Sequence, residues 1–394
     1  MRKYLKPFQL FEYFNLLIAS LIVFGPIYYL WLNLPIKSDD YLIHLGWAEG
    51  IAKNPQNLPA SVTAHAAWQW LVWLSHTIFD LSWGTAGLVV TLGSVVLTVG
   101  ILYWLIRKHL SPLLSGALAI GLSIFAPLMF IDPLNNVMFM TNGYFAANIY
   151  HNPTILLLKP FALLQFVLVS DTLEKPQSDW KIIVFTAVVS ALAIYSKPSY
   201  AICLLPALAV MVLFKILMKK RVDWMRLIFG IVLPTLAFLF WQYLITFGAE
   251  ADSSIVFAPF KVMNHFSAYL LPKLVLSIVF PLCVTFFCWR EARREKKIQL
   301  AWLGFLFSLL FTYFFAETGE REFAANFYWS SEITIFLLFV ACVLFLAERR
   351  YFFENAVRKW FILVTGFLHL TFGLIYYFYN IYNLYTYTFY QFWW

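Results

Sequence analysis

Two adjacent carboxylates, Asp39 and Asp40, directly follow the first long apolar run of this 394-residue chain. One carboxylate of such a pair can accept a proton as a general base, with its neighbour acting electrostatically or helping to hold a divalent cation. The bland alternative is a solvated loop that happens to be acidic. Two lysines stand where ion-free sequence is expected. Lys159 lies nearly two turns into the apolar run after His151-Asn152-Pro153, and Lys197 opens the run after Tyr195-Ser196. An ionisable group at mid-membrane costs about 2.5–3.5 kcal/mol on insertion scales, so it either faces a partner or cavity or snorkels to the interface. Arg321 stands between Glu317 and Glu320 on one side and a run of aromatic residues on the other. His44, His65, His151 and His265 sit among aromatic neighbours, a setting as suited to an interfacial hydrogen bond as to a ligand. Of these, His151 is the best placed, because Asn148, His151 and Asn152 cluster just above Lys159.

The elements that must position these groups follow from composition. The chain is 62% hydrophobic, 20% aromatic and 12% charged, with a mean hydropathy of +0.75. That leaves too little polar surface to cover a water-soluble core, so lipid must solvate much of the chain. In lipid the backbone satisfies its own hydrogen bonds, in helices or closed barrels. The apolar runs here are continuous and about 17–24 residues long, not alternating, and so they read as helices. Cys203, Cys283, Cys288 and Cys342 lie inside such runs with no CxxC spacing, as small buried hydrophobes do. The first run, about residues 8–34, follows Arg2, Lys3 and Lys6 and is too long for a signal-peptide core; the expectation is an anchor that stays. The net charge of +8 sits in short connections between runs, which argues for membrane orientation and against nucleic acid.

The expected fold is an all-α polytopic membrane protein, one transmembrane domain over residues 1–394. Eleven spans are expected, within a range of 10–13, at about 9–33, 84–106, 112–129, 153–171, 181–196, 199–218, 225–246, 268–289, 299–316, 329–347 and 360–379. With the N-terminus in the cytoplasm and these segments alternating, 21 of the 28 Lys and Arg fall inside and seven outside, as the positive-inside rule requires. The segment 66–81 is ambiguous. If it crossed, the bias would reverse to eight inside and 20 outside. With Trp68, Trp70, Trp73 and His76 it reads instead as a helix at the outer interface. Residues 34–83 are then a first outer loop with interfacial helices, in which Tyr41, Leu42, Leu45, Trp47 and Ile51 form the apolar face of an amphipathic helix. The cluster at 290–297 (REARREKK) reads as a solvated orientation signal, and His76 and His369 as structural. Asp39, Asp40, His44, His65, His151, Asn152, Lys159, Lys197, Glu317 and Arg321 all gather at the outer face.

A first span, an outer acidic pair, a juxtamembrane amphipathic segment and an interfacial helix entered through His65 and Trp68 together resemble the GT-C superfamily of membrane glycosyltransferases. That superfamily includes oligosaccharyltransferases, protein mannosyltransferases and aminoarabinose transferases. Its acidic motif takes the forms DxD, ExD, DD or DE in the first outer loop, and Asp39-Asp40 matches DD. The SKPS element at 196–199 and the ETGER stretch at 317–321 resemble later outer-loop motifs of small bacterial members. Unlike the larger members, the chain carries no periplasmic C-terminal domain, which puts a protein acceptor bound by such a domain in question.

The resemblance implies a polyprenyl-phosphate-linked sugar donor, a glycan or lipid acceptor and inverting transfer at the outer face of a bacterial plasma membrane. Asp39 or Asp40 would take the proton of the acceptor hydroxyl. Lys159, Lys197 and Arg321 would stabilise the leaving phosphate. His44, His65, His151, Asn152 and Glu317 would contact substrate. A divalent metal, Mg or Mn, would bind at Asp39 and Asp40 if one is used; metal-independent transfer is equally open. Two other readings stand beside this one: a transporter or flippase of a lipid-linked or anionic substrate, and a ligase or polymerase of lipid-linked glycans. No internal repeat supports the first, and the late outer loops are short for the second. No P-loop, GxGxxG or HExxH motif is present, which argues against a nucleotide-driven pump or an integral metalloprotease.

Overall fold

A computed structural model describes residues 7–33, 40–54, 56, 59–132, 142–175, 178–249, 254–349 and 355–393. The helices in chain order are α1 Pro7–Asn33, α2 Asp40–Lys53, α3 Ala60–Thr63, α4 Ala67–Phe79, α5 Trp83–Ile106, α6 Pro112–Leu122, α7 Pro153–Glu174, α8 Trp180–Ser196 and α9 Ala201–Leu217. A π-helical turn at Arg226–Val232 then runs into α10 Leu233–Ala249. It is followed by α11 Lys261–Phe266, α12 Leu270–Ser277, α13 Val279–Phe287, α14 Trp289–Ala292, α15 Lys296–Phe314, α16 Tyr328–Glu348 and α17 Ala356–Trp393. The one sheet among the described residues is a three-residue antiparallel ladder. It pairs β1 (Ile255–Phe257) with β2 (Phe315–Glu317), and Ile255 lies opposite Glu317.

The chain is an all-α protein of the multi-pass membrane type. Seven helical segments among the described residues are long and apolar enough to cross a membrane, or eight if the bent pair α12–α13 is one span. Large hydrophobic side chains such as Leu10, Ile22, Phe240 and Phe367 stand exposed on the outside, more apolar surface than water tolerates. The expected run of eleven maps onto these eight and three shorter apolar helices, α6, α8 and α9. At 11 and 17 residues, α6 spans only about 16 Å and α8 and α9 about 25 Å. The segment 66–81 forms α4, whose 13 residues reach about 20 Å.

α16 lies at the centre. Every residue from Tyr328 to Ala347 is buried, as expected for a helix that is apolar on all faces. α15 packs along it, with α7, α13 and α9 also in contact.

One expectation fails instructively. The run 112–129 was expected to be a continuous span, but the helix stops at Leu122, and residues 123–129 are non-helical and buried. The stretch 143–152, expected in an outer loop, is non-helical and is buried within the protein. Irregular backbone at this depth is tolerated only where protein satisfies its polar groups, and the side chains here do so. The Asn148 amide donates to the carbonyls of Leu122 (2.8 Å) and Phe125 (3.0 Å). Tyr41 donates to the Tyr150 carbonyl (2.9 Å) and Tyr328 to that of Tyr144 (2.5 Å). The Ser277 hydroxyl accepts from the Phe145 amide (3.0 Å). His369 Nδ1 meets the Ala126 carbonyl at 2.7 Å, which accounts for the structural role expected of it.

α17 presses against this segment at Gly373, where a Cβ would come within 2.2 Å of the Ile124 carbonyl oxygen. Gly373→Ala is therefore expected to destabilise the protein by about 1–3 kcal/mol, read as a lower thermal midpoint in detergent. An unchanged midpoint would show that the two segments part easily.

Candidate functional site

α2 begins at Asp40 and carries it in the first helical turn, where a carboxylate is favoured by the helix dipole. The buried face of α2 is Tyr41, His44, Leu45, Ala48 and Ile51, a spacing set by 3.6 residues per turn. The expected apolar face is corrected accordingly: Leu42 is exposed, and His44 is turned inward, where its Nδ1 lies 2.7 Å from the Gln69 amide of α4. Asp39 lies outside the described residues.

Across from Asp40, α7 starts at Asn152-Pro153. Asn152 caps the helix through its Oδ1, which accepts from the Ile155 amide at 3.1 Å, and proline at the first position completes a strong start signal. The same Asn152 reaches the acid, its Nδ2 donating to Asp40 Oδ2 at 3.0 Å. Thr154 donates to Asn152 Oδ1 at 2.8 Å, and Lys197 Nζ donates to Thr154 Oγ1 at 3.0 Å. An unbroken chain of hydrogen bonds thus joins the carboxylate at the head of α2 to an ammonium in the connection between α8 and α9. Neither lysine snorkels. Lys197 lies over the Trp329 ring (4.8 Å). Lys159, only 6% exposed, donates to Asn148 Oδ1 at 2.7 Å and sits over Phe336 (4.9 Å).

One member of the cluster was not singled out from the sequence. Glu332, 2% exposed on the central helix, lies in electrostatic reach of both Lys159 and Lys197, and its Oε2 has no hydrogen-bond partner. A carboxylate inside a long apolar run is itself a signal, but Glu332 stands one residue after Ser330-Ser331 and looks like the end of a polar loop. His151 is 5% exposed, faces Trp329 at 5.9 Å between ring centres, and has no partner for either ring nitrogen. Burying polar groups without partners is costly, and their concentration here points to a place where ligand groups are received.

The cluster keeps its histidines neutral. Burial holds His44 well below its usual value, with Lys197 and His65 adding to the effect. Burial lowers His65 to about 3, helped by Lys197 and Arg321. It also lowers His151, where Lys197 adds to the shift and Asp40 opposes it. Lys197 is lowered by burial to about 8, against the pull of Asp40 and Glu332. These reciprocal effects place Asp40, His44, His65, His151, Lys197 and Arg321 within one electrostatic neighbourhood, with Lys159 joined through Glu332.

Glu317 has its own partners. It accepts from Asn326 at 2.5 Å and lies 3.8 Å from Arg321, and the β1–β2 ladder fixes its backbone. Among the described residues no three His, Cys, Asp or Glu form a group able to hold a metal ion; Asp40 instead meets the Asn152 amide, at the end of a chain that runs through the Thr154 hydroxyl to the Lys197 ammonium. That donor set suits an anion more than a cation. No protein-family model, no curated protein and no solved structure matches the chain.

Proposed function

We propose that the chain is a small glycosyltransferase of the GT-C kind. It would move a sugar from a polyprenyl-phosphate donor to the hydroxyl of a glycan or lipid acceptor, with inversion, at the outer face of a bacterial plasma membrane. The observation that carries this reading is the Asp40–Asn152–Thr154–Lys197 chain: a base and a cation are joined by hydrogen bonds through two polar side chains in one partly buried cluster. The 21-to-7 distribution of basic residues supports the orientation, with the N-terminus in the cytoplasm.

In the proposed step the acceptor oxygen attacks the anomeric carbon while its proton passes to Asp40 Oδ1, Oδ2 being engaged by Asn152. The bond from the anomeric carbon to the phosphate oxygen breaks, and its electron pair leaves with the polyprenyl phosphate. Charge then grows on that oxygen, where the preorganised Lys197 and Arg321 stabilise it more than water would. Lys159 lies deeper and sets the potential of the cluster. His151, neutral, offers one donor and one acceptor to sugar hydroxyls.

The test is transfer by purified protein in vesicles, using a panel of labelled polyprenyl-phosphate sugars and following release of free polyprenyl phosphate. Absence of release with every donor, in protein that remains folded, would overturn the proposal. The bent α12–α13 pair, 63° at its break, favours a transporter as the second reading, since discontinuous helices line many transport sites. Movement of the labelled lipid across the bilayer with its sugar intact would decide for that reading.

Lys197 also predicts a pH dependence. Its ammonium is lost as pH rises through about 8, so activity is expected to fall on that alkaline side. Lys197→Arg should keep the charge and extend the plateau upward by at least one pH unit. An identical alkaline limb in the variant would show that Lys197 does not hold the phosphate.

A further inference from the structure

In the basic stretch 290–297, Arg290, Arg293 and Arg294 are exposed, as its sequence suggests. Glu295 lies 2.5 Å from Arg349 and Lys297 lies 2.9 Å from Glu348, which takes those charges out of play. Arg293, Arg294 and Lys296 line a groove at the end of α9 and α15 remote from Asp40. On α16, the 16 residues from Glu332 to Glu348 put the two ends about 24 Å apart.

The groove, about 710 Å³, lies between α9 and the α13–α15 turn, and its cations are Lys215, Lys220, Arg293, Arg294 and Lys296. A second lobe of about 460 Å³ shares four of these five and adds Arg221, with Glu174 as its one carboxylate. Among the described residues none of these six cations has a carboxylate within ion-pair distance. Two are anchored through neutral acceptors: Lys215 donates to the Leu173 carbonyl and Lys296 to Gln299, both at 2.8 Å. The α9 terminus is shaped for the purpose. Lys219 adopts a left-handed φ of 54°, and the Lys220 amide folds back to the Lys215 carbonyl at 2.8 Å, placing Lys220 beneath the helix. The opposite wall is apolar and faces outward, with Phe214, Trp289 and Leu306 all more than half exposed. Trp302 is fixed by its bond to Thr285 (2.8 Å).

Unpaired cations packed this closely repel one another, and an apolar wall beside them excludes water. One ligand chemistry answers both features: a phosphate carried on an alkyl chain. Basic pockets between membrane helices hold anionic headgroups by this logic. We propose that this groove binds an anionic phospholipid of the adjoining leaflet, its phosphate among Lys220, Arg294 and Lys296 and its acyl chain along Phe214, Trp289 and Leu306. The inference is independent of the chemistry at the Asp40 end.

The test offers the full-length protein in mild detergent an equimolar mixture of phosphatidylglycerol and phosphatidylcholine and counts retained lipid by native mass spectrometry. Phosphatidylglycerol is expected to be retained at least ten-fold over phosphatidylcholine. Lys220→Ala/Arg294→Ala/Lys296→Ala should lose that preference. Lys108→Ala/Lys181→Ala should keep it, because it removes two cations that lie over Trp104 and Trp180 outside the groove. Inorganic phosphate at 10 mM should not displace the lipid; if it does, the groove is a free-anion site and the proposal fails. Equal retention of both lipids, or an unaltered preference in the triple variant, overturns it as well. Should the triple variant not fold, the unaltered chain decides. Phosphatidylglycerol brominated on its acyl chains should quench tryptophan fluorescence more than brominated phosphatidylcholine, and the difference should vanish in Trp289→Phe/Trp302→Phe. Equal quenching by the two lipids counts against the site.

Discussion

Asp40→Asn is expected to lower sugar transfer by about 10²–10⁴-fold, the range for loss of a positioned general base, while leaving the protein folded. Asparagine keeps an oxygen that can accept from Asn152, so the 3.0 Å contact survives and only the charge is lost. A change in pH profile should accompany the loss. Asp40 raises the Lys197 ammonium against burial, so without it the alkaline limb of any residual activity should move below about pH 8. A purely structural Asp40 would leave that limb in place and lower thermal stability instead. Asp39→Asn is the companion variant. Loss confined to it would transfer the role of base to Asp39, and full activity in both variants would sink the transferase reading.

The second large effect belongs to Lys159 and Glu332. Both are almost wholly buried, and each is the other's nearest compensation in an apolar surround. Removing one of them leaves the other a buried polar group without its partner, at a cost of about 1–3 kcal/mol. Lys159→Met is therefore expected to lower the thermal midpoint sharply, aggravated by loss of the donor to Asn148 Oδ1. Lys159→Met/Glu332→Gln should recover most of that stability, since replacing both charges removes the desolvation penalty along with the attraction. Transfer activity should stay low in the double variant if the pair sets the potential that receives the phosphate. Recovery of activity along with stability would reduce the pair to a packing device. A single Lys159→Met variant as stable as the parent would show that Lys159 is solvated.

Much of this organisation was legible in the chain before folding. Lipid as solvent, helices as the spanning element, and α16 as an apolar run follow from composition and run length, because a backbone in hydrocarbon has few ways to satisfy itself. The start of α7 at Asn152-Pro153 could be read from capping chemistry, and the oddity of Lys159 and Lys197 from the cost of charge in apolar sequence. What could not be read was depth. Residues 143–152 form the loop that their irregular, polar pattern suggests, but a buried one, because Tyr41 and Tyr328 from distant segments satisfy the carbonyls of Tyr150 and Tyr144. Periodicity describes a segment's own faces, not which other segment will cover them. For the same reason the burial of His44 on α2, beside Tyr41, Leu45 and Ile51, is set by its neighbour Gln69 and not by its own pattern.

The sequence by itself determined the solvent, the helical class, the side bias of charge and a short list of unusual ionisable residues, since each depends on local composition and the cost of burial. Only the tertiary structure decided which of those residues meet. Asp40 and Lys197, 157 positions apart, are joined through Asn152 and Thr154. Glu332 enters the same neighbourhood from the central helix, and Glu317 pairs with Asn326 and Arg321. Within the stretch 290–297, Glu295 and Lys297 enter ion pairs while Arg293, Arg294 and Lys296 line a groove. Such meetings depend on distances of a few ångströms between segments far apart in the chain, and Coulomb and hydrogen-bond energies are decided at that range.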